Sequence, residues 1–269
     1  MGGVRGQRES VTSSDGVQIG MITEGVGPRL LLVHGGMSSS TRWEPVWPLL
    51  TRNRRVTAMD RRGRGMSGDA ARYGIAQEYD DVLAAAQHLA VGEPEGIDVF
   101  AHSIGAVCAL GAAGRGAPIR RLALYEPPGP RTVSREWIDR VTAWVAAGQA
   151  GRAMRSFLVE IIGMDATMVT AMRDSPVAAE SIPIAAATMA REAEALLALD
   201  LADVTRGVTA PMLFLLGGLS PRWARTITHE LHQALSRATV AELSSHGHEA
   251  LDTAPDLVVA ELERFFRAS

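Results

Sequence analysis

Lysine is absent: all 27 basic residues of this 269-residue chain are arginine. That excludes Schiff-base chemistry and any lysine-bound aldimine cofactor, since both need a lysine amine. Cysteine occurs once, as Cys108, so no internal disulfide can form. No apolar run reaches the roughly 18 residues that cross a bilayer, and Met1 to Val17 carries no apolar h-region of a secretory leader. No membrane association is expected, and the expected location is cytoplasmic. Excess charge of one sign is also missing. The net charge is −3 with signs mixed along the chain, which argues against a nucleic-acid partner. No histidines share a metal-ligand spacing such as His-Glu-x-x-His. Gly63, Gly65 and Gly68 are not followed by a helix where a dinucleotide fingerprint needs one. Neither a metal nor a cofactor is expected.

What is present suits one large domain with an insertion. Hydrophobic residues make up 46 % of the chain, enough for a substantial core. Two short β runs within Arg8 to Glu24, broken at Asp15-Gly16, predict a hairpin. Continuous apolar or β-branched runs at Arg29–Val33, Arg55–Met59, Gly96–Ala101, Arg121–Tyr125, Met212–Leu216 and Thr239–Leu243 predict further strands. Helical patterns separate most of them. They include Thr41–Leu50, Ile75–Ala90, a small-residue run to Ala113, a face made by Trp223, Ile227, Leu231 and Leu235, and Pro255–Phe266. Strand alternating with helix predicts an α/β fold, a mostly parallel sheet flanked by helices. Between Arg131 and Thr205 the spacing predicts helices alone, one face being Trp137, Ile138, Val141, Trp144 and Val145. This block predicts a helical cap over residues 131–205, between core parts 1–130 and 206–269.

Parallel sheets bind ligands at the carboxyl ends of their strands. One such end reads Ala101-His102-Ser103-Ile104-Gly105 between a strand and a small-residue helix. A strained strand-turn-helix of this kind needs small neighbours and lifts its serine clear of the sheet. It points Ser103 at the unpaired amides of a helix N-terminus. His34-Gly35-Gly36, after another buried strand, offers an oxyanion amide at Gly36, with Met37 as the alternative. His248 follows the last strand, in the chain order a serine–histidine site requires; His246 is its competitor.

The chain resembles the α/β-hydrolase superfamily from about Val17 to the C-terminus, and most closely its bacterial esterase- and peroxidase-like branch, some members of which serve specialised metabolism. That closer likeness is carried by Asp60-Arg61-Arg62-Gly63-Arg64-Gly65, Leu124-Tyr125-Glu126-Pro127-Pro128 and Leu216-Gly217-Gly218. The resemblance implies an eight-stranded sheet, a nucleophile at Ser103, a base at His248 and oxyanion amides at Gly36 and Ile104. It implies only a structural loop at Asp60 and Arg61. One feature departs from the pattern: Leu219 stands where the family places an aspartate after the Met212–Leu216 strand. Leucine cannot hold the imidazole tautomer. Glu126, at the end of the neighbouring strand, is the candidate substitute; the other reading makes it part of a turn.

Met154, Met164, Met168, Met172 and Met189 bring adaptable apolar side chains to the cap. With His102, Trp43, Trp137, Phe157 and Leu219 they are expected to bound a pocket for a hydrophobic small molecule. No basic cluster in the cap suggests an anionic substrate. Three functions are consistent with these residues. The first is hydrolysis of an ester, thioester or lactone. The second is a non-hydrolytic lyase or cyclase using His248 as base. The third is a catalytically silent ligand-binding protein.

Overall fold

The computed structural model describes residues 4–173, 182 and 186–268. Its strands are β1 (Gln7–Thr12), β2 (Gln18–Glu24), β3 (Arg29–Val33), β4 (Arg55–Met59), β5 (Ile97–His102), β6 (Ile119–Tyr125), β7 (Met212–Gly217) and β8 (Ala238–Leu243). They form one eight-stranded sheet in the order β1-β2-β4-β3-β5-β6-β7-β8. β1 and β2 pair antiparallel around the expected Asp15-Gly16 turn, and β2 runs antiparallel to β4. Every other pairing is parallel. The central strands are dominated by apolar residues, Leu30–Val33 in β3 and Val99–Ala101 in β5, because helices cover both of their faces.

The helices are α1 (Trp47–Leu50), α2 (Ile75–Leu89), α3 (Ile104–Gly114), α4 (Arg135–Ala146), α5 (Ala150–Ser156), α6 (Ala166–Arg173), α7 (Met189–Leu197), α8 (Leu201–Thr205), α9 (Arg222–Ala234), α10 (Ala250–Thr253) and α11 (Pro255–Arg267). Helices α2, α3 and α9 bury Val82, Val107 and Ile227 in one core layer. On the other face, α1 and α11 bury Trp47, Leu50, Val258 and Leu262. The helix expected over Thr41–Leu50 is two pieces, a 3₁₀ turn at Ser40–Trp43 and α1. Pro45 and Pro48 explain the break, since neither has an N–H to donate to a continuous helix. Asp98 starts β5 at the end opposite the site and pairs with Arg54 (2.8 Å) and Arg120 (2.6 Å).

Among the described residues between β6 and β7, the regular elements include helices α4 to α8 and no strand. Trp137, Ile138 and Val141 of α4 point inward as their spacing predicts. Helix α5 runs into one π-helical turn, Phe157–Ile161, and the helical path ends just before Gly163, which has φ +80°. Helix α7 buries Met189, Glu192, Ala193 and Leu196, an i, i+3, i+4, i+7 stripe that contains one acid. The side chains of Met168 and Met172 lie outside the described residues. No helix among the described residues is long and apolar enough to cross a membrane.

Candidate active site

Three non-glycine residues have positive φ among the described residues: Met37 (56°), Ser103 (55°) and Glu126 (48°). They follow β3, β5 and β6 at one end of the sheet. Such conformations cost about 1–3 kcal/mol each and persist only where the surroundings impose them. At Ser103 the chain passes from β5 straight into α3, with ψ −132°. The turn is pinned by Ser103 N–H donating to Tyr125 O (2.9 Å) and Ala106 N–H donating to Ser103 O (2.8 Å). Small residues are required here for space. A Cβ on Gly105 would stand 2.3 Å from His34 O. Ala101 still fits in the first small position, fully buried.

The loop after β3 is held from beneath. Arg61 N–H donates to His34 Nε2 (3.0 Å), and His34 Nδ1 lies 2.8 Å from Gly35 O. One nitrogen therefore accepts and the other donates, which defines a neutral imidazole. Burial, followed by the charges of Arg61 and Arg64, holds the His34 pKa well below its ordinary value. The Arg61 guanidinium also donates to Gly35 O (3.2 Å). Arg61 pairs with Glu78 through two bonds and with Glu192 at 2.8 Å. Arg64 reaches the same Glu192 oxygen at 2.7 Å. A carboxylate from the helices between β6 and β7 thus joins two buried arginines, Arg61 and Arg64.

Glu126 is fully buried, and both its oxygens are occupied. Oε1 accepts the Gly217 N–H at 2.6 Å, and Oε2 lies 2.5 Å from His248 Nδ1. A carboxylate accepts, so Nδ1 donates and Nε2 is left with its lone pair. Tyr125 O–H donates to Gly247 O and accepts from Ala250 N–H (3.3 Å), which fixes the histidine loop from both sides. His102 stacks on His248 with centroids 4.5 Å apart, and the Trp223 ring meets His248 edge-on at 5.6 Å. Burial, then repulsion from His248, keeps the His102 pKa well below its ordinary value. His246 instead lies 3.4 Å from Thr253 Oγ1.

Ser103 and His248 line one cavity of about 580 Å³. Gly36, Met37, His102, Met154 and Phe157 line it too. A second recess of about 40 Å³ opens beside Ser103, bounded by Gly36, Ile104, Trp137 and Glu192 among others. Two expected pocket residues are elsewhere. Trp43 is fully buried against Phe100 (centroids 5.2 Å) in the core layer on the face of α1 and α11. Leu219 is 71 % exposed, because its N–H bonds His246 O (3.0 Å) and the turn carries its side chain to solvent. Sequence reading missed Trp223, Glu192 and the cavity residues Arg42 and Arg155. Glu192 alone left a signal, an acid inside an apolar helical stripe. Among the described residues, no group of three or more His, Cys, Asp or Glu side chains could hold a metal ion.

These features place the chain in a known class. The model of the alpha/beta hydrolase family matches residues 30–261, and the chain belongs to that family. A crystal structure of an alpha/beta hydrolase from Sphaerobacter thermophilus is 30 % identical with a TM-score of 0.81, covering 96 % of this chain and 100 % of that one. The 2-(acetamidomethylene)succinate hydrolase of Mesorhizobium japonicum is 27 % identical over 267 residues, 94 % of each protein. The probable oxidoreductase EphD of Mycobacterium tuberculosis is 39 % identical over 102 residues, which span 36 % of this chain and 17 % of that curated relative.

Proposed function

We propose that this protein is a serine hydrolase that cleaves an ester or related acyl bond of a hydrophobic small molecule through Ser103, His248 and Glu126. The observation that carries the reading is the 2.5 Å contact of a buried Glu126 oxygen with His248 Nδ1, in a cavity that also holds the strained Ser103. His248 Nε2 takes the Ser103 proton as Oγ attacks the carbonyl carbon. The backbone N–H groups of Gly36 and Ile104, with Met37 as the alternative to Gly36, receive the oxyanion. Glu126 holds the imidazole tautomer and stabilises the imidazolium that forms. His248 then protonates the leaving group, and water releases the acyl group from Ser103. The helices between β6 and β7 act as the cap over this chemistry, contributing Met154 and Phe157 as apolar contacts. An elimination or cyclisation reading rests on the missing acid at Leu219; the Glu126 contact with His248 favours hydrolysis over it. A relative named as a hydrolase over nearly the whole chain also favours hydrolysis.

The test is labelling with a fluorophosphonate probe together with turnover of p-nitrophenyl esters. Both should require Ser103 and His248. A wild-type protein that neither labels nor turns over any ester would be a silent member of the fold. Labelling without turnover would restore the non-hydrolytic reading.

A further inference from the structure

We infer that the small recess beside Ser103 is the acyl site and the large cavity the leaving-group site. The substrates would then join a short neutral acyl group to a larger apolar alcohol or thiol. This rests on the serine-hydrolase reading and narrows it.

The two spaces share Gly36, Met37, Ser103, Phe157 and Ile162 as a common border and extend to opposite sides of it. His248 lines only the large one; Ile104 lines only the recess. The chemistry assigns the sides. Ser103 Oγ bonds to the carbonyl carbon, and its proton passes to His248. The bond from that carbon to the leaving oxygen or sulfur then breaks, and His248 returns the proton to the departing atom. The departing group must therefore lie on the His248 side. The acyl carbon stays on Oγ, next to the Gly36 and Ile104 amides, until water adds and releases the acid. Its chain has the recess to occupy.

Size sets the acyl length. The recess measures about 40 Å³. That is less than a tenth of the large cavity's volume, room for a short chain only. That suits acyl groups of about two to four carbons. The walls are tied in place. Trp137 Nε1 donates to Ser156 Oγ (2.9 Å), and Trp223 Nε1 donates to Ile161 O (2.7 Å). The second Glu192 oxygen stands 3.4 Å from where a Cβ on Gly36 would lie, so the recess presents a negative oxygen and disfavours an acid-bearing acyl group. The large cavity, about 580 Å³, is in the range of drug-sized ligand sites, ~300–1,000 Å³. A compact lactone, whose acyl and leaving parts share one ring, cannot fill both spaces.

The experiment compares kcat/KM across p-nitrophenyl acetate, propanoate, butanoate, hexanoate and octanoate. The expected optimum lies at or below butanoate, with a fall of about tenfold or more by hexanoate. Leu196→Ala, which opens only the recess, should move the optimum to longer chains; Met189→Ala is the second variant with the same expectation. Leu158→Ala, which opens only the large cavity, should leave the acyl optimum in place. An octanoate optimum in the wild type, or a shift caused by Leu158→Ala alone, overturns the assignment while leaving the serine-hydrolase reading intact. No turnover of any ester and no labelling of Ser103 overturns both.

Discussion

Glu126→Gln is the sharpest perturbation the site offers, because both oxygens of this buried carboxylate are committed. An amide has one oxygen and one NH₂ group. If the oxygen faces the Gly217 N–H, as Oε1 does now at 2.6 Å, the NH₂ group faces His248 Nδ1. The imidazole must then carry its proton on Nε2, where it cannot accept one from Ser103. If the amide turns over, two N–H donors confront each other at Gly217. That costs roughly 1–3 kcal/mol for an unsatisfied buried group. In either orientation the charge that stabilises the imidazolium is gone. Two unit charges about 4 Å apart interact by roughly 4 kcal/mol at an effective dielectric of 20. At about 1.4 kcal/mol per decade, kcat should fall by roughly 10²–10⁴, with little change in KM. Neutralising the equivalent acid of a serine protease costs about 10⁴. The assay is steady-state hydrolysis of a p-nitrophenyl ester, with a thermal melt to show that the variant folds. A folded variant retaining more than about a tenth of the wild-type kcat would refute the assignment.

Other perturbations follow from the same geometry. Leu219→Asp, at a position 71 % exposed, should change kcat/KM by less than about twofold; a large gain would mean that Glu126 does not serve His248. Glu192→Ala leaves Arg61 and Arg64 with one carboxylate, Glu78, in a buried cluster. It should cost about 3–5 kcal/mol, or roughly 10 °C in Tm, measured by calorimetry. Stability should also depend on pH through His34 and His102. Their folded pKa values lie well below the ordinary 6.5, so below that pH the unfolded chain binds more protons than the folded one. Each histidine then removes up to about 1.4 kcal/mol of stability per pH unit as the pH falls below about 6.5. This continues until the folded-state pKa values are passed. His102→Gln should flatten the denaturation free energy between pH 6.5 and 5 by up to that amount; an unchanged slope would show that His102 is not held neutral.

The core strands were legible because a strand buried on both faces is built mostly of consecutive apolar residues, as Leu30–Val33 is. The Ser103 turn was legible because its geometry admits only small neighbours, and Gly105 is packed to within 2.3 Å of a carbonyl oxygen by any added Cβ. Trp43 shows the limit of spacing: periodicity says that a side chain is buried, not on which face of the sheet. Leu219 shows another limit. Its direction is set by a backbone bond to His246, which no side-chain pattern announces. The reach of Glu126 was equally hidden. It depends on a φ of 48° at a residue type that does not advertise it. Pro45 and Pro48 override the helical spacing of Thr41–Leu50, because each removes an N–H that a continuous helix would use.

On the proposed reading the acid has changed strands, an exchange that the sheet makes geometrically small. β6 and β7 are parallel neighbours in register, with Tyr125 opposite Leu215, and adjacent strands lie about 4.8 Å apart. Glu126 therefore leaves the sheet beside Leu216, one strand nearer β5 and Ser103. Its left-handed φ turns the chain, and the extra methylene of glutamate supplies the remaining reach. The Gly217 amide at the end of β7, just where an acid-bearing turn would begin, donates to Glu126 instead. Once that bond and the one to His248 are made, position 219 is released from the chemistry, and a leucine there can face solvent without cost to the imidazole. The prediction from this logic is asymmetric: adding an aspartate at 219 should do little while Glu126 is present. In the Glu126→Gln background it should restore no more than about tenfold, because the turn directs that side chain away from His248. Full recovery in the double variant would show that the loop re-orients freely and that the direction of Leu219 is not fixed by its backbone.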